Sequence, residues 1–119
     1  MKVFLVDDEP ITNILTKIMV KKLNPEVEVS DYNDPVTAFT QLKDHQPHLI
    51  FLDLNMPVMT GWDFLDKMHE HGLHNSVIIL TSSVSAFDRQ KANNYSNVID
   101  FLNKPVEKEF LLKHLCEPA

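Results

Sequence analysis

Cysteine is nearly absent from this chain: Cys116 is the single thiol in 119 residues. A lone cysteine has no intrachain disulfide partner and suits a reducing cytosol, so a cytoplasmic protein is expected. Basic clusters are missing too. The longest is Lys21-Lys22, and the formal charge is −6, which argues against a nucleic-acid surface on this domain. No apolar run is long enough to span a bilayer. The chain opens on a strand pattern, Lys2 to Val6, from which neither a signal peptide nor a membrane partner is expected. Repeats, low-complexity tracts and linkers are also lacking, so residues 1–119 are expected to form one domain.

What the chain has is enough apolar content, 44%, to build its own core. Five short apolar segments alternate with helical patterns: Val3–Val6, Val27–Val29, Leu49–Leu52, Val77–Leu80 and Val98–Leu102. That alternation implies an α/β fold, a parallel sheet with helices on both faces. The third segment, closed by Pro47 and Pro57, reads as a strand buried on both faces. The second alternates polar and apolar residues and suits an edge.

A first helix is expected from Pro10 to about Asn24, with Ile11, Ile14, Leu15, Ile18, Met19 and Leu23 as its core face. Asp34 should cap a second helix, with Ala38, Phe39 and Leu42 inward, and Thr60 a third that stops at Gly72. A fourth, Ala86 to Tyr95, has only Phe87, Ala92 and Tyr95 to bury and should be among the more mobile elements. The fifth carries Val106, Phe110, Leu111, Leu112 and Leu115. Six histidines scatter along the chain. His69, His71 and His74 cluster near a helix end, but no cysteine or carboxylate framework stands at ligand spacing, and a solvated surface is expected there.

Parallel strands aim their carboxyl ends at a common edge, where open α/β sheets build their sites. The first strand ends in Asp7-Asp8-Glu9, the third in Asp53, the fourth in Thr81-Ser82-Ser83 and the fifth in Asn103-Lys104-Pro105. If these strands adjoin, three carboxylates, a hydroxyl and an ammonium converge. Two like unit charges 4 Å apart repel by about 4 kcal/mol at an effective dielectric near 20, so such a cluster needs a counter-ion. A hard divalent cation such as Mg²⁺ is the natural candidate. With Lys104 and Thr81 beside it, the site suits an incoming phosphoryl group, and Asp53 would be the nucleophile, forming an acyl phosphate.

The Asp7-Asp8 pair, the segment Phe51-Leu52-Asp53-Leu54-Asn55-Met56-Pro57, Gly61, Thr81 and Lys104-Pro105 together resemble the receiver domain of two-component response regulators. The resemblance implies a flavodoxin-like five-stranded parallel sheet in the order 2-1-3-4-5 with five helices on both faces. It also implies a phosphorelay function. Asp53 would accept a phosphoryl group from a sensor histidine kinase or a histidine phosphotransfer protein. Asp8 would bind Mg²⁺ directly, Asp7 through water and Asn55 through its backbone carbonyl. Thr81 and Lys104 would grip phosphoryl oxygens, and the Lys104-Pro105 bond would be cis. Thr81 and Phe101 would form the switch, acting on a surface made by the fourth helix, fifth strand and fifth helix. Such a domain is no enzyme toward a separate substrate, and it would be a monomer or a weak phosphorylation-dependent dimer.

Two positions depart from the commonest pattern. Asn97-Val98 stands where Gly-Ala is frequent, and Asn tolerates the left-handed conformation nearly as well as Gly. Phe101 stands where Tyr is frequent; without a hydroxyl to bond outside, it is expected inward even without phosphate. A haloacid-dehalogenase-like phosphohydrolase would need an acid two residues past its nucleophile, and Asn55 holds that place. A degenerate receiver acting only as an interaction module is the other reading, against which all five key positions are intact. The ending Leu115-Cys116-Glu117-Pro118-Ala119 has no linker character, which favours a stand-alone, chemotaxis-type receiver over a fragment of a longer regulator.

Overall fold

Leu49–Leu52 forms a strand in which every side chain is buried, as its uninterrupted apolar run requires. In the computed structural model, which describes residues 1–115, this is the middle strand of the sheet. The elements run β1 (Lys2–Val6), α1 (Pro10–Leu23), β2 (Glu28–Tyr32), α2 (Pro35–His45), β3 (Leu49–Leu52), α3 (Gly61–Glu70), β4 (Ser76–Thr81), α4 (Ala86–Ala92), β5 (Val98–Asn103) and α5 (Lys108–Leu115). All strand pairs are parallel, and the order is β2-β1-β3-β4-β5. Cys116 and the tail after it lie outside the described residues.

The period of two in the strands sorts the core into two layers. Phe4, Val6, Ile50, Leu52, Val77 and Ile79 point one way, onto Ala38 and Leu42 of α2, Phe64, Leu65 and Met68 of α3, and Ala92 of α4. Their neighbours Val3, Leu5, Leu49, Phe51, Ile78 and Leu80 point the other way, onto Val20 of α1 and Leu111 and Leu115 of α5. The caps read from sequence hold: Asp34 accepts from Val36, and Thr60 and Asp63 form a reciprocal capping box. Gly72 follows α3 at φ 68, a left-handed conformation that suits glycine. Both edge strands, β2 and β5, are partly wet, β2 as expected.

Helix α1 corrects the reading of its periodicity. Ile11, Ile14, Leu15 and Ile18 are 71%, 53%, 57% and 52% exposed, while Asn13, Thr16 and Val20 are buried. Of the expected core face only Met19 and Leu23 pack against the core, and only partly. The reason is polar. Asn13 donates its amide hydrogens to the carbonyls of Asp7 and Tyr32, each at 3.1 Å. These two oxygens lie where the ladder of β1 and β2 ends, and Asn13 joins the Asp7 amide on Tyr32 and the Asn33 side chain on Asp7 as their donors, which turns this polar face of α1 inward. Smaller corrections fall on α4 and α5. Helix α4 stops at Ala92, and Phe87 is 71% exposed instead of inward. Phe110 and Leu112 also face solvent, so α5 is held by Leu111 and Leu115, with Val106 just before it.

Candidate functional site

The residues that follow β1, β3 and β5 remain tied to the sheet by their own amides. Asp7 donates to the Tyr32 carbonyl at 3.1 Å, Asp53 to Val6 at 3.0 Å, and Lys104 to Thr81 at 2.9 Å. These bonds extend the ladders by one step and carry the site residues to one edge. Asp7, Asp53 and Thr81 are all buried there. Lys104 Nζ lies 2.7 Å from Asp7 Oδ2, 3.1 Å from Glu9 Oε1 and 3.5 Å from Asp53 Oδ2. The peptide bond that aims this lysine, Lys104-Pro105, is cis, as expected.

The loop after Asp53 is tightly built. Gly61 donates to the Leu54 carbonyl at 2.9 Å, and a Cβ at Gly61 would sit 2.4 Å from the Asp53 carbonyl oxygen. Only glycine fits. At the loop's tip, Val58 takes φ 70 and is 96% exposed. A β-branched residue at positive φ is strained, and here it closes a three-residue turn in which Met59 donates to Pro57 at 2.7 Å.

Burial, and then the charge of Asp7, push the Asp53 carboxyl up to about 6 against the pull of Lys104. Asp7 is raised by its own burial, partly offset by Lys104. Burial works against the charge of Lys104, but its bonds to Asp7 and Glu9 hold its pKa above the ordinary value. Asp7, Asp8 and Asp53 offer carboxylate oxygens within 4.8 Å of one another, and among the described residues they are the one such group of histidine, cysteine and acidic side chains. Asp53 Oδ1 is buried without a hydrogen-bond partner. A carboxylate oxygen in that state is short of positive charge, and the donor set fits a hard divalent cation. Asn55 is exposed at the start of the loop.

Thr81 is wired outward. Its hydroxyl oxygen accepts from the Ser83 amide at 3.1 Å, and the Ser83 hydroxyl donates to Asp88 of α4 at 2.7 Å. Asn103 donates to the Ser83 carbonyl at 2.6 Å. Arg89 reaches Asn103 Oδ1 at 3.4 Å and lays its guanidinium 4.7 Å from the centre of the Phe101 ring. Phe101 is buried, inward as expected. Sequence reasoning had no role for Glu9, Asn103, Arg89 or Asn13. Glu9 and Asn103 adjoin assigned residues and could have been suspected; the reach of Arg89 depends on how α4 sits.

A doubly wound parallel sheet with three acids, a hydroxyl and a lysine at its carboxyl edge defines a phosphoryl-accepting signalling domain in outline. The chain matches the response regulator receiver domain family over residues 3–116, and it belongs to that family. It is 30% identical over 118 residues to the nitrate/nitrite response regulator protein NarL of Escherichia coli (strain K12), covering 98% of this chain and 54% of that protein. An uncharacterized response regulatory protein of Staphylococcus epidermidis is 36% identical over 117 residues, 98% of this chain and 45% of the relative. The chain thus spans about half the length of these curated relatives. Among solved structures, a signal receiver domain from Vibrio parahaemolyticus superposes with a TM-score of 0.85 at 31% identity, covering 94% of this chain and 84% of that one. Chemotaxis protein CheY4 of Vibrio cholerae gives a TM-score of 0.81 at 26% identity, over 94% and 92% of the two chains. Among the described residues, no helix is long and apolar enough to cross a membrane.

Proposed function

We propose that Asp53 is the phosphoacceptor of this receiver and that the orphaned Asp53 Oδ1 is the observation that carries the assignment. The donor is a phosphohistidine of a sensor kinase or phosphotransfer protein. An Asp53 carboxylate oxygen attacks phosphorus, the P–N bond breaks, and the imidazole nitrogen leaves with the electron pair and takes a proton from solvent. Lys104 moves from Asp53 onto one phosphoryl oxygen, and the Thr81 hydroxyl turns from the Ser83 amide to donate to another. Mg²⁺ held by Asp8, Asp53 and the Asn55 carbonyl, with Asp7 behind, would supply the charge that lets acids and phosphoryl oxygens share the site. The protein acts on no separate substrate, works in the cytoplasm, and is a monomer or weak phosphorylation-dependent dimer.

Two faces serve it. The donor helix docks on the exposed stripe of α1, because a groove of about 460 Å³ lined by Leu15, Ile18, Met19 and Val106 runs to Lys104 itself. Output leaves by the face of α4, β5 and α5, to which Thr81 is wired. Intact-mass spectrometry after acetyl phosphate and Mg²⁺ should show one added phosphoryl group, absent from Asp53→Asn. An adduct that persists in that variant would remove Asp53 from the role.

A further inference from the structure

The chain carries a net charge of −6, yet one groove on it has no acid in its walls. It lies between α2 and the end of α3, where two hollows of about 380 and 230 Å³ share Lys43 and Leu73. The floor is apolar and fixed. The half-buried Phe39 ring meets Phe64 of the core edge-on at 5.5 Å, and Leu73 packs on the same core layer. The rim is cationic or able to donate. Lys67 Nζ stands 5.6 Å from the centre of the Phe39 ring and the His71 ring 5.5 Å from it, while Lys43 and His74 line the hollows. Among the described residues neither lysine forms an ion pair. Asp44 and Glu70, close to them in sequence, do not line the groove. A lysine in the last turn of a helix offsets the dipole from any face, so that role does not explain why both stand at one aromatic floor.

The backbone narrows the occupant. Helices α2 and α3 both end here, so a phosphate or a phospholipid headgroup would meet the negative ends of two dipoles and no free helix N–H. Carboxylates on side chains can reach the ammonium groups at the rim and stay clear of those ends, while an apolar side chain fills the floor. Gln46 and Asn75, in the groove wall, precede β3 and β4, which puts the groove at the opposite edge of the sheet from Asp53. We infer that this groove docks an acidic peptide segment of a partner protein, anchored by a large apolar side chain, and does so whether or not Asp53 is phosphorylated. It holds its partner by a face that neither the phosphoryl donor nor the output helix uses.

Amide NMR of the whole chain with a capped hexapeptide, two leucines flanked on each side by two glutamates, tests this. Shifts should concentrate in residues 39–43 and 67–74. In the double variant Lys43→Glu with Lys67→Glu, affinity should fall about tenfold, since two exposed charge pairs are lost at up to about fivefold each. A peptide with serines in place of the leucines should leave the groove amides unshifted, and beryllofluoride with Mg²⁺ should leave the affinity of the leucine peptide unchanged. Absence of shifts in the groove, or equal affinity in the double variant, would overturn the docking site. So would equal binding by the serine peptide, which marks bare attraction of charge, or a groove that responds to inorganic phosphate or phosphatidylserine vesicles in place of the peptide. An affinity altered by beryllofluoride would overturn its independence of Asp53.

Discussion

Helices α3 and α4 flank the same edge of the sheet and are built on opposite terms. Helix α3 opens with a reciprocal capping box, starts at a glycine pressed against the Asp53 backbone, and buries Phe64, Leu65 and Met68. Helix α4 is three residues shorter, with Ala92 its one buried side chain. Its ties to the sheet are largely polar: Ser83 to Asp88, Arg89 to Asn103 and the Phe101 ring. At its far end Tyr95 stacks on Trp62 and donates to Asp66 of α3 at 2.8 Å. Hydrophobic packing in α3 anchors the loop after Asp53. The hydrogen bonds that hold α4 can exchange partners at low cost.

The largest effect should come from the anchored side. Phe64→Ala should destabilise the fold by about 3–5 kcal/mol in urea denaturation, the cost of a large cavity in a closed core. Phe87→Ala, on α4, should stay within about 0.5 kcal/mol because that ring is already in solvent. Similar losses at both positions would erase the distinction.

Next comes the charge stored between the helices. Asp53 titrates near 6 in the fold against about 3.9 unfolded, so the folded state binds the extra proton between these values. Folding stability without Mg²⁺ therefore falls as pH rises through that window, by about 3 kcal/mol, and the loss is complete above the folded value. Raised Asp7 adds in the same direction. Thermal melts from pH 4 to pH 8 should show the slope in the parent protein and a much flatter curve in Asp53→Asn. Added Mg²⁺ should also flatten it. A parent protein whose stability rose across this window would refute the strained-acid picture.

The smallest effect should be at Arg89. Arg89→Ala removes a cation–π contact and one long hydrogen bond, together about 1 kcal/mol or less. Its signature is local: the Phe101 ring should flip faster by NMR while α3 resonances stay in place. Shifts spread through α3 would show that the two helices move as one.

How much of this could be read from residues alone follows the same division. Strands written as apolar runs, caps such as Asp34 and Thr60, and acids at strand ends are local chemistry, and each sits where its residue type requires. The carboxylate edge was legible because a parallel sheet sends every strand end to one place. Periodicity failed at α1 because buried Asn13 bonds two backbone carbonyls, those of Asp7 and Tyr32, that come together only once β1 and β2 are side by side. The polar wiring of α4 was hidden for the same reason: Arg89 meets Asn103 and Phe101 across the fold, with no spacing rule to announce it.

Amide hydrogen exchange with and without beryllofluoride and Mg²⁺ tests the division between the two helices most directly. Protection should change through residues 82–103, in the loop after β4, α4 and β5, while the amides of Phe64–Glu70 in α3 keep the same exchange rates. Equal changes in α3, or a response confined to the loop after Asp53, would contradict it.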